Sequence, residues 1–168
     1  MKEVPIHKTL PIVAQAVGDK HGLTVQVGGD EACTNGQIIR IPSLPEGDSA
    51  RILARGFIDH EAAHVRFTDF GVAMDHLTNA LEDIRIEAKI GQTYPGSKKN
   101  LKDLAGHLAQ EGMLQVTGRE AAVDVFGKYA NLTMRRDRLN QDLGGLAEEI
   151  ERVMDSRYGA KIRKQVDK

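Results

Sequence analysis

The sequence predicts an α+β fold: a mostly helical domain with a small N-terminal antiparallel sheet. Three observations predict it. The runs Leu23-Thr-Val-Gln-Val27 and Gln37-Ile-Ile-Arg-Ile41 have strand character, and turns at Gly28-Gly29-Asp30 and Asn35-Gly36 bound them. From about Ser49 onward apolar residues recur at helical spacing. A length of 168 residues fits one domain that buries a core without disulfides or metals as staples, so a metal here would serve chemistry.

Taken in order, Ile6 to about Lys20 places Leu10, Ile12, Val13 and Val17 at helical spacing, with Pro11 tolerated only near the beginning and His21-Gly22 as the stop. Pro42 and Pro45 close the second strand. Gly47-Asp48-Ser49 offers side-chain oxygens to cap a helix from near Ser49 to about Phe67. The next helix covers roughly Met74 to Ile90, with Leu77, Leu81, Ile84 and Ala88 as its core stripe, and is ended by Gly91 before a turn at Tyr94-Pro95-Gly96. Leu101 to about Leu114 is a further helix. Thr117 and Glu120 give the capping-box signature of another, which runs to about Arg136. Gly144-Gly145 breaks the pattern, and the last helix sets Leu146, Ile150, Val153 and Tyr158 on one face. The domain therefore reads as three parts: 1–48 with a helix and small sheet, 49–92 with a metal-binding helix pair, and a helical part over 98–168. The last helix reaches Lys168 without a stop signal, which leads to the expectation of a fragment of a longer protein.

Composition narrows the partners. With 23 basic and 24 acidic residues the chain has no electrostatic reason to bind nucleic acid or an anionic membrane. The single cysteine, Cys33, rules out an internal disulfide and a Cys-rich zinc knuckle, and suits a reducing compartment. No apolar run approaches the roughly 18 residues that span a bilayer, and the start lacks a signal-peptide pattern. A soluble, cytoplasmic protein is expected.

The chemistry lies in His60-Glu61-Ala62-Ala63-His64, an H-E-x-x-H pattern inside a predicted helix. Residues four apart stand one turn above each other, so both imidazoles meet one ion. A stripe through Leu53, Phe57, His60, His64 and Phe67 turns them inward. One Zn2+ needs a third protein ligand, with water in the fourth position. A third histidine of the extended motif is absent, since Phe67 and Phe70 stand where its Gly and His belong. The following helix supplies Glu82, the first choice of ligand, and Asp83, the alternative. The remaining polar groups form an outer layer: Asp83 or Glu87 to accept an imidazole N–H, Arg85 to fix a carboxylate. His76, near the start of that helix, is a weaker competitor.

Glu61, about 100° around the helix from His60, then activates a water on the zinc as general base. The strand Gln37–Ile41 offers a free edge to an extended peptide, which makes the substrate a peptide or protein. Tyr94 and Tyr129 are the candidates for stabilising an oxyanion.

The order of elements and the His60-Glu61-x-x-His64 helix resemble the zincin metallopeptidases that use a glutamate ligand. More specifically, G-F-I-D-H-E-A-A-H-V-R-F-T-D-F followed by N-A-L-E-D-I-R-I-E and Y-P-G-S, over about Gly56 to Leu101, looks like the metallopeptidase-like N-terminal region of cobaltochelatase T-subunit-like proteins, several encoded by bacteriophages. That resemblance implies His60 and His64 as zinc ligands, Glu61 as catalytic base and Glu82 as third ligand, with a downstream von Willebrand A domain. An ATPase partner belongs to the alternative reading, a catalytically silent metal-binding or interaction domain. Ile86 stands four residues after Glu82, where several glutamate zincins carry Asp, and this keeps Asp83 in contention.

Overall fold

In this computed structural model, which describes residues 6–72 and 75–167, seven helices and three short strands are formed. Helix α1 (Ile6–Gly18) leads into strands β1 (Thr24–Val27), β2 (Cys33–Thr34) and β3 (Ile38–Ile41). Helices α2 (Asp48–Phe67), α3 (His76–Thr93), α4 (Pro95–Gln110), α5 (Ala122–Leu139), α6 (Leu146–Tyr158) and α7 (Ala160–Val166) follow. The α+β class and the helical predominance are as the sequence indicates. No described helix is long and apolar enough to cross a membrane.

The sheet differs from the expected antiparallel pair. Its order is β1-β3-β2, with β1 parallel to β3 and β2 antiparallel to it. The Asn35-Gly36 turn does make a hairpin, but with β2: Asn35 Oδ1 accepts from the amides of Gln37 and Ile38, and Gly36 takes a φ of 84°. Both edges of β3 are thereby occupied, so it offers none to a peptide. Ile39 and Ile41 of β3 are fully buried while Arg40 stays outside.

Two hydrophobic clusters hold the helices. The first joins Leu10, Ala14 and Val17 of α1, the β3 isoleucines, Ala54, Ile58 and Ala62 of α2, and Ile86 and Ile90 of α3. The second joins Val125, Tyr129 and Leu132 of α5 with Ile150 and Met154 of α6. α4 belongs to both, through Leu101 in the first and Ala105 in the second.

Several boundaries move for local reasons. α2 begins at Asp48 after Gly47, with no side-chain capping bond. α3 is capped by Asp75, whose carboxylate accepts from Thr78 N at 2.7 Å; Met74, the expected first residue, lies outside the described residues. α3 runs through Gly91, where a Cβ would stand 3.2 Å from Lys98 Cβ, so this glycine permits helix crossing and does not stop the helix. Pro95 is the first residue of α4, a position where its missing N–H costs nothing. The Thr117–Glu120 bond forms, but inside the loop before α5.

The closest approach is at Gly56. A Cβ there would lie 2.4 Å from Leu104 Cβ, so α2 and α4 cross with no room for a methyl group. Gly56→Ala is expected to destabilise the protein by about 2 kcal/mol through overpacking, read as a lower denaturation midpoint at unchanged slope.

Candidate metal centre

The last turns of α2 carry His60, Glu61 and His64, and the middle of α3 crosses them with Asp83. Asp83 Oδ1 lies 3.7 Å from His60 Nε2 and 3.2 Å from His64 Nε2, and the three ligand atoms sit within 4.8 Å of one another. The imidazoles meet edge to face, centroids 4.9 Å apart. Asp83 Oδ1 is buried and has no hydrogen-bond partner. A buried carboxylate oxygen left in that state is costly, and two bare ring nitrogens beside it point to what it awaits. The donor set of two imidazoles and one carboxylate suits zinc, and the trio fits it.

The ring orientations are fixed from behind. His60 Nδ1 is 3.0 Å from Glu87 Oε1; a carboxylate only accepts, so Nδ1 carries the proton and Nε2 faces the centre. His64 Nδ1 is 2.9 Å from Thr68 Oγ1, whose hydroxyl in turn donates to Glu82 Oε1 at 2.7 Å. With its one proton committed to Glu82, Thr68 must accept from His64, which again bares Nε2.

Each outer carboxylate is itself held. Buried Glu87 accepts two bonds from Arg135, at 3.0 Å each, and one from Gln141 at 2.7 Å. Burial raises its pKa, but the charges of Arg135 and His60 outweigh that and bring it down to about 2. Arg85 forks onto Glu82 at 2.6 Å and reaches the carbonyl of Phe67, so Glu82 is held well below the usual carboxylate range. The pocket draws positive charge: burial works against a charged His60, yet Glu87, Asp83 and Glu61 lift its pKa to about 9.

Glu82, the expected third ligand, therefore points away from the histidines, and the alternative, Asp83, is the acid that meets them. The reason is the roll of α3. Leu77 and Leu81, read as core, are 38% and 40% exposed, while Ile86 and Ile90 are fully buried. That rotation aims Asp83 at α2 and leaves Glu82 beside Thr68. Asp83 thus stands in the centre and not in the outer layer, where the structure places Glu87 on His60 and Arg85 on Glu82. His76 is not part of the trio.

Glu61, only 4% exposed, lines the same pocket, and its pKa is pushed up by burial, partly offset by the two histidines. The pocket measures about 610 Å³ and is walled by Cys33 and Thr34 of β2, Phe57, Phe70, Asn79 and Leu104 among others. Neither tyrosine reaches it. The Tyr94 hydroxyl donates to Ala16 O and accepts from Arg66, and Tyr129 donates to Asp167. Of the supporting residues missed in the sequence, Thr68 had a signal, being one turn beyond His64. Arg135 and Gln141 had none, lying 48 and 54 residues from Glu87.

A family model described as cobalamin biosynthesis protein CobT matches residues 3–165. No curated protein and no solved structure matches the chain.

Two outcomes follow from this geometry. If the trio holds zinc, Asp83→Ala is expected to lower zinc affinity at least about 100-fold in competition with a chelator, and Glu82→Ala about tenfold or less, because only Asp83 sets an oxygen beside both Nε2 atoms. In protein stripped by a chelator, the Glu87 contribution to stability has the sign of a depressed carboxyl: complete above its ordinary value of 4.5, lost as pH falls toward 2. Denaturant melts between pH 5 and 2 are expected to show that loss, and Glu87→Gln to flatten it.

Proposed function

The chain belongs to the cobalamin biosynthesis protein CobT family, and from that premise we propose that it holds one zinc ion through His60, His64 and Asp83 and hydrolyses peptide bonds. The family places it in a cobaltochelatase-related setting; the hydrolytic reading rests on the site. Its main support is Glu61, a buried carboxylate next to a ligand and within the pocket, which a purely structural metal site would not require. Zinc with three protein ligands lowers the pKa of a coordinated water to about 7 and polarises a carbonyl. Glu61 takes the proton of the attacking water and passes it to the leaving amine, and its burial suits a group that holds a proton in transit. Glu87 and Thr68 keep both Nε2 atoms turned to the centre. β2, paired on one side only and lining the pocket, takes the edge-strand role first assigned to β3 and aligns an extended substrate by backbone hydrogen bonds.

A second reading keeps only the family's cobaltochelatase-related setting: the same trio binds metal and the domain serves a protein partner such as an ATPase without cleaving anything. Glu61→Gln separates the two. Under the hydrolytic reading it retains about one equivalent of zinc and loses at least about 100-fold in cleavage of a peptide library. Zinc-loaded wild type that cleaves nothing in such a library would leave the second reading standing.

A further inference from the structure

A second cavity, of about 460 Å³, opens beside the metal pocket between the start of α3, the loop after α4 and the first half of α5. Polar side chains, Glu120 and Lys128 among them, form part of its lining, and apolar ones make up half of it: Leu77, Ala80, Met113, Leu114, Val123 and Leu132. Three of these are widely exposed, Met113 at 67%, Val123 at 58% and Leu77 at 38%. Apolar side chains gathered in a concave surface, and not scattered singly, mark a place that binds something.

Two observations say what. The cavity is continuous with the metal pocket, since Leu114 and Asn131 line both. Along α5 the residues Val123, Gly127, Asn131 and Arg135, four apart and so on one face, lead from one to the other. Gly127 is the second. It sits inside α5, where glycine is unfavourable relative to alanine, and nothing lies within 4 Å of the place its Cβ would take. Close helix packing therefore does not account for it. Its effect is to keep the floor of the groove open.

We propose that this groove is the specificity site for the polypeptide held at the metal centre, and that it takes large apolar side chains of that chain. The inference rests on the reading of the centre as a peptide site and adds the substrate class: extended segments carrying leucine- or phenylalanine-like residues. Leu114 and Asn131, shared by the two cavities, set the groove next to a peptide held at the metal, and burying an apolar side chain there removes Met113, Val123 and Leu77 from water as well.

The test uses zinc-loaded protein carrying Glu61→Gln, so that peptides bind without being cut. The probes are two capped hexapeptides that differ only in a central Leu-Phe or Ser-Asn pair. The apolar peptide is expected to bind at least about tenfold more tightly, and adding Gly127→Leu, which fills the groove from its floor, to reduce that preference to less than about threefold with zinc content unchanged and melting temperature equal or higher. Val123→Ser, on the open rim, is expected to weaken the preference in the same direction and covers the case in which the leucine disturbs α5. A preference untouched by both substitutions overturns the proposal, as does a doubled sedimentation mass abolished by Gly127→Leu, which would make the occupant a second copy of the chain. Apolar binding without cleavage by the wild type sinks the hydrolytic reading and leaves the groove in place, whereas cleavage blind to apolar residues sinks the groove alone.

Discussion

Two ring nitrogens and one carboxylate oxygen face each other across less than 5 Å, and the oxygen, buried, has nothing to bond to within the described residues. Left alone, such an arrangement would relax: an aspartate side chain turns easily, and imidazoles flip. It persists because each ring is tethered through its far nitrogen. The rest of the molecule can be understood as the means of holding α2, α3 and α5 at the angles those tethers require. Gly56, one turn before His60, lets α4 press close against α2 beside the pocket, and the first core fixes the depth at which α3 crosses it.

The tethers differ in kind. His60 is backed by a fully committed ion cluster, in which Glu87 receives a guanidinium fork and an amide. Such a buried cluster is poor as a source of stability but good at fixing one geometry. His64 is backed by a hydroxyl at the end of its own helix, and the largely covered carboxylate behind that hydroxyl is paired with the exposed Arg85. One imidazole is thus set by long-range packing and the other by a local turn. The local one is the simpler to assemble, because Thr68 lies only four residues on.

What the sequence discloses follows the same division. Helical periodicity projects His60 and His64 onto one face wherever the helix sits, so the pair could be read from spacing alone. The choice between Glu82 and Asp83 could not, because adjacent residues differ by 100° around a helix and only tertiary packing sets its roll. Leu77 and Leu81 suggested the wrong roll: both are apolar yet exposed, Leu77 in the wall of a groove, while Ile86 and Ile90 supply the buried stripe. The sheet shows the same limit. Asn35-Gly36 marked a turn, but β2 before it is two residues long, too short to register as a strand, so the hairpin it forms with β3 was not read and β1 was taken as an antiparallel partner. Arg135 looks like any surface arginine of an amphipathic helix, and only the fold brings it to Glu87.

The Glu87–Arg135 bond also joins the two halves of the chain. Glu87 stands on a helix of the first core, while Arg135 and Gln141 come from the region that closes the second. A piece of the protein ending before α5 would keep His60, Glu61, His64 and Asp83, yet it would leave a carboxylate in the interior with its main cation gone and one imidazole without a firm anchor. The arrangement of these side chains is therefore a property of the whole assembled molecule, and the short segment that contains the two histidines does not by itself fix how their rings are turned.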